Sequence, residues 1–160
     1  STLNANVYQM HYLTEPLQNA AKLFIKLPKD SIPANKHYIA RKDRKGGWNY
    51  VSTKLYNDSI LQGTTTSLGD FTVKVDAIAP EIRPQSRTSS RILLKILDKQ
   101  SGVNRYEGYI NGEWVLFEED FHSRVSYKID KKRLKTKRPY NLEFRVYDNC
   151  GNVSEYKLKW

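Results

Sequence analysis

Leu142-Glu143-Phe144-Arg145-Val146 and Tyr156-Lys157-Leu158-Lys159-Trp160, separated by Asp148-Asn149-Cys150-Gly151-Asn152, decide the fold class. Each run places apolar side chains on one side of an extended backbone and charged ones on the other. A half-buried antiparallel strand needs that period of two. The segment between them is dense in turn-forming residues. The same alternation recurs in Leu23, Ile25 and Leu27, in Phe71, Val73 and Val75, and in Val125, Tyr127 and Ile129. Asn111-Gly112 is the strongest turn signal, because a type I′ hairpin turn needs positive φ at both central residues. It is expected to join Tyr106–Ile110 to one continuous strand over 113–118. Gly46-Gly47, Asn57-Asp58 and Ser67-Leu68-Gly69-Asp70 punctuate the remainder. No long run has apolar residues at helical spacing, so the chain is predicted to be almost free of helix.

Short strands at this spacing predict an all-β chain of two small antiparallel immunoglobulin-like β-sandwich modules in tandem. A length of 160 residues suits two small domains. The boundary is placed in Asp76-Ala77-Ile78-Ala79-Pro80-Glu81-Ile82-Arg83-Pro84, where two prolines stiffen the chain. This gives modules over 1–76 and 77–160, the first less regular at its N-terminus. The polar stretch from Gln85 to Ser90 is read as loop, with the next strand starting near Arg91. Trp114 and Trp160 are assigned to the core.

The composition is 39% hydrophobic, enough for a packed core. No apolar run approaches the roughly 20 residues of a membrane-spanning helix. The opening Ser1-Thr2-Leu3 reads as a piece of a longer polypeptide. Cys150 is the single cysteine, which rules out an internal disulfide. No phosphate-cradling glycine loop and no Gly-x-Ser-x-Gly nucleophile motif occurs. Asp98, Asp148, Asn149 and Asn152 offer oxygen ligands of the kind calcium takes. The same residue types close turns by bonding their own backbone, and that reading is favoured.

The net charge is +10. The densest basic cluster holds Lys131, Lys132, Arg133, Lys135, Lys137 and Arg138, and ends at Pro139. It is a candidate contact for an anionic surface, read mainly as a solvated loop. It lacks the interleaved aromatics of single-strand nucleic-acid binders, so no nucleic-acid partner is expected. Trp48 and Tyr50, beside Arg41 and Arg44, form a candidate ligand contact, because exposed aromatic rings can stack on sugars.

Three stretches together resemble a known family. They are Asp98-Lys99-Gln100-Ser101-Gly102-Val103, of D-x-x-S-G-V shape, Tyr109-Ile110-Asn111-Gly112-Glu113-Trp114, and the D-N-x-G-N turn from Asp148 to Asn152. With Leu68–Asp76 and Ala79–Ile82, this order is similar to the immunoglobulin-like region after the catalytic domain in Bacteroidetes-type lysostaphin-like zinc peptidases, which cut peptidoglycan cross-links. That family holds zinc through H-x-x-x-D and a distant H-x-H. Here His11 is followed by Glu15 at the aspartate place, His37 by Arg41, and His122 by Ser123 and Arg124. The resemblance therefore implies a fragment with no catalytic residue, metal or cofactor of its own. It further implies a non-catalytic accessory region of a secreted, extracytoplasmic metallopeptidase, with that enzyme's catalytic domain as partner and cell-wall glycan as a further one. The alternatives are a carbohydrate-binding module and an adhesin-type structural spacer.

Overall fold

The computed structural model describes residues 6–10, 19–120 and 122–160. The chain is all-β, and every strand pair is antiparallel. It divides into two compact units, Ser1–Ala77 and Ile78–Trp160.

The first unit has β1 (Tyr8–Met10), β2 (Ala21–Lys26), β3 (His37–Lys42), β4 (Trp48–Tyr50), β5 (Ser52–Asn57), β6 (Ile60–Thr65) and β7 (Gly69–Val75). A single 3-10 turn, Ala34–Lys36, precedes β3. One sheet runs β1-β7-β3-β4 and the other β2-β6-β5. Ile25 and Leu61 face Ile39 and Phe71 across the sheets, with Val51 closing the cluster. Val51 sits where the chain leaves one sheet for the other. Its N–H bonds the Ile39 carbonyl at 2.8 Å, which holds that crossing to the first sheet.

The second unit has β8 (Glu81–Arg87), β9 (Arg91–Leu97), β10 (Val103–Ile110), β11 (Glu113–Val115), β12 (Glu118–Glu119), β13 (Arg124–Lys128), β14 (Asn141–Asp148) and β15 (Val153–Lys159). Its sheets run β8-β9-β13-β12 and β11-β10-β14-β15. In immunoglobulin lettering that is A-B-E-D facing C′-C-F-G, so the unit is an immunoglobulin-like sandwich. The alternating runs do what their period requires. Ile92, Leu94, Ile96, Val125 and Tyr127 from one sheet meet Ile110, Leu142, Phe144 and Val146 from the other. Asn111 (φ 50°) and Gly112 (φ 80°) close the β10–β11 hairpin with the two left-handed residues a I′ turn demands.

The structure corrects three sequence expectations. Residues 113–118 are not one strand: β11 ends at Val115, and β12 begins at Glu118 in the opposite sheet. The stretch after Pro84 is not loop, because Gln85–Arg87 belong to β8. Proline is admissible there because β8 is an edge strand, with a register shift between Pro84 and Ser86. Trp114 is not a core residue. It is 58% exposed, whereas Trp160 packs partly against the core.

The packing that enforces the strand break is specific. Phe117 is buried, with its ring 4.7 Å from that of Phe144 and 5.6 Å from that of Tyr127. It lies directly over Gly108 of β10, where a Cβ would come within 2.5 Å of Phe117 Cε2. Gly108→Ala is therefore expected to destabilise the chain by about 1–3 kcal/mol through overpacking. Phe144→Ala is expected to cost about 3–5 kcal/mol through the cavity it leaves. Denaturant unfolding of both variants checks this. An unchanged midpoint for Gly108→Ala would mean that Phe117 does not occupy this seat.

Candidate functional site

The residues singled out in the first unit are divided between two faces. Cross-strand partners share a face, so Trp48 and Tyr50 of β4 lie with their partners Lys42 and Ala40. That face is turned away from core residues Ile39 and Phe71. Arg41 pairs with Asn49 and Phe71, which puts it on the opposite face from the two aromatics. Arg44 is exposed in the β3–β4 turn. Trp48 and Tyr50 are only half-exposed. Tyr50 is tied into the framework, with its hydroxyl accepting the Thr53 N–H at 3.0 Å and its ring 5.9 Å from that of Tyr38.

The basic stretch of the second unit is an exposed loop anchored at one point. Leu134 is 6% exposed and belongs to the core, while Lys131, Lys132, Arg133, Lys135, Lys137 and Arg138 are exposed around it. Arg133 pairs with Asp130 at 3.6 Å, and Arg138 donates to the Ser89 carbonyl at 2.7 Å. The Lys135 N–H bonds Glu113 at 3.2 Å, and the Asn111 amide bonds the Pro139 carbonyl at 3.2 Å. The loop is thus fastened against the β10–β11 hairpin rather than tethered only at its ends.

Asp98 and Asp148 close turns. Asp98 Oδ1 accepts the N–H groups of Gln100 and Gly102 at 2.9 and 2.8 Å. Asp148 Oδ1 accepts those of Cys150 and Asn152, both at 2.8 Å. The Asn152 amide donates to Asp148 Oδ2 at 2.6 Å. Asn149 then joins one turn to the other, donating its side-chain amide to the Ser101 carbonyl at 2.8 Å. The D-x-x-S-G-V and D-N-x-G-N stretches are therefore the two halves of one hydrogen-bonded loop pair. The two aspartates each bring a carboxylate oxygen within 4.8 Å of the other's. Cys150, the single cysteine of the chain, is buried in this turn.

The two described histidines are His37 and His122. His37 is 4% exposed, with Nδ1 3.1 Å from the Pro33 carbonyl and Nε2 3.0 Å from Asp30. His122 is exposed beside the Asp120 turn. The His11 reading lies outside the described residues.

What sequence reasoning missed is a groove in the second unit, about 650 Å³ in volume. It is lined by β11 and its continuation to Glu118, by β13, by the start of β9 and by Asp130, Arg133 and Leu134. Val115, Tyr127 and Leu134 are buried along its floor, and Trp114 and Leu116 are exposed at its wall. The available signal was Trp114 one residue beyond the Asn111-Gly112-Glu113 turn. In Trp114-Val115-Leu116-Phe117, however, both alternating faces are apolar, and hydrophobicity alone cannot choose between them.

A family model described as the Zu5-like domain matches residues 1–76, just under half of the chain, so the first unit is similar to such a domain. A solved structure described as "Structures of Clostridium thermocellum CbhA fibronectin(III)-like modules" is similar at 12% identity and a TM-score of 0.40, covering 86% of this chain and 83% of that one. No curated protein matches the chain. Among the described residues, no helix is long and apolar enough to cross a membrane.

The turn carboxylates make a pH prediction. Backbone N–H bonds hold Asp43 (from Gly47) and Asp120 (from His122) below their ordinary value of 3.8, and the His37 ring does the same for Asp30. A carboxyl that is more acidic folded than unfolded stabilises the fold above the unfolded pKa. That stabilisation is lost as pH falls through the folded one. The melting temperature is expected to drop as pH is lowered through and below 3.8, and to drop less in Asp43→Asn/Asp120→Asn. Equal acid sensitivity of parent and double variant would contradict these assignments.

Proposed function

We propose that the chain is a non-catalytic accessory region, a pair of β-sandwich modules that scaffolds a secreted cell-wall metallopeptidase. The observation that carries the reading is the joined loop pair Asp98–Gly102 and Asp148–Asn152. The residues that resemble the peptidase-associated modules are those whose side chains fasten one end of the second sandwich. They are spent on shape, as a scaffold requires, and the polar groups of that end go to turn N–H and carbonyl groups. Two ionisable side chains elsewhere are placed in the same way. His37 is bonded at both ring nitrogens, and Arg145 bridges Glu155 at 3.1 Å along the outer face of the second unit. The catalytic domain of the same polypeptide is the partner this reading requires, and the extracytoplasmic envelope is its setting.

The purified chain is expected to leave cross-linked muropeptides intact with or without added zinc. Chelator-sensitive cleavage by the pure chain would overturn the non-catalytic reading. Finding a chemistry other than an H-x-x-x-D and H-x-H zinc domain on the parent polypeptide would overturn the peptidase assignment alone.

A further inference from the structure

We infer that the groove of the second unit binds a neutral, β-linked oligosaccharide, with Trp114 as its stacking platform. The site is independent of the parent enzyme proposed above and differs from the aromatics of β4.

Three observations point to this ligand. The first is Trp114 itself. The residue is 58% exposed and lines the groove, and its cross-strand partner is Tyr109 on the sheet face turned away from the core. Its flat aromatic face suits the apolar C–H face of a sugar ring. Chains with equatorial linkages present such faces in a ribbon that can lie along a groove.

The second is the charge pattern. Arg91, Lys128 and Arg133 line the groove together with Glu113, Glu118 and Asp130. Three cations and three carboxylates cancel, in a chain whose net charge is +10. A polyanion would find the carboxylates opposing it, and a cationic ligand would find the arginines and lysine. A sugar hydroxyl both donates and accepts, so one row of hydroxyls can satisfy carboxylates, which only accept, and ammonium or guanidinium groups, which only donate.

The third is shape. A volume of about 650 Å³ falls within the roughly 300–1,000 Å³ typical of small-ligand sites. Its apolar floor of Val115, Tyr127 and Leu134 is already packed into the core, so that part of the site needs no ordering on binding.

The test is an isotope-edited NMR titration of the full chain with chitohexaose and with cellohexaose, and with heparin as a polyanion control, repeated on Trp114→Ala. The expected result is saturable binding of at least one neutral hexasaccharide, with shifts at the Trp114 indole and the Arg91 and Lys128 amides. In Trp114→Ala the affinity falls at least tenfold. That variant removes an exposed side chain, and its melting temperature should match the parent's, which separates lost binding from lost fold. Lys128→Ala, also on an exposed side chain, should weaken binding by a smaller factor. Absence of saturation with both hexasaccharides overturns the inference. So does binding that Trp114→Ala leaves unchanged, and so do shifts centred on Trp48 and Tyr50.

Discussion

Phe117 rests on Gly108, and much of the second sandwich follows from that contact. Gly108 lies on central strand β10, and its missing side chain leaves room for an aromatic ring between the sheets. The ring then meets Phe144 and Tyr127, one from each sheet, so a single side chain bridges both layers. The Tyr106 hydroxyl also reaches the Phe117 carbonyl at 3.4 Å, which holds the backbone at the crossing. Once Phe117 is inward, alternation turns Val115 inward and Trp114 and Leu116 outward. The chain must leave its sheet at Leu116 to pass Phe117 across, and β11 is cut to three residues. The groove is the space that this early departure leaves at the sandwich edge. One glycine thus connects the core to the surface feature of greatest functional interest.

Electrostatics works here by local closure rather than by a field over the whole molecule. Carboxylates cap turns at Asp43, Asp98, Asp120 and Asp148, each accepting two or more backbone N–H bonds. Such bonds serve the unpaired backbone donors of a tight turn and cost little side-chain entropy, because the carboxylate is short. The exposed ion pairs, such as Arg83 with Glu81 and Arg145 with Glu155, add little, because water and salt screen them. The densest positive charge lies on the loop around Leu134, whose buried side chain fastens that loop to the sandwich.

The sequence made the strands legible wherever one face was apolar and the other polar. Leu142, Phe144 and Val146 point inward as their spacing requires, and the Asn111-Gly112 turn has the backbone its residue types demand. Asp98 and Asp148 are turn-closing carboxylates, as their neighbours indicated. Legibility failed where a tertiary contact decides between two permitted faces. Trp114-Val115-Leu116-Phe117 is apolar on both, and only the space over Gly108, six residues before Trp114 and on another strand, makes the choice. It also failed at β8, where Pro84 and a polar run resemble a linker. An edge strand can accept a residue without an N–H, and pairing with β9 supplies the order that local sequence lacks. The groove was illegible for the same reason as Trp114, since its walls come from segments far apart in the chain.

The most direct test of the account is a set of proton–proton distances from NMR, measured on the unmodified chain. The account predicts strong cross-relaxation between the Phe117 ring and the Gly108 α-protons, and between the Phe117 and Phe144 rings, with the Trp114 indole remote from Phe144 and Tyr127. Strong contacts from the Trp114 indole to Phe144 or Tyr127, with Phe117 exposed to solvent, would mean that the opposite face of this segment is buried. The groove and its proposed ligand would then be excluded together.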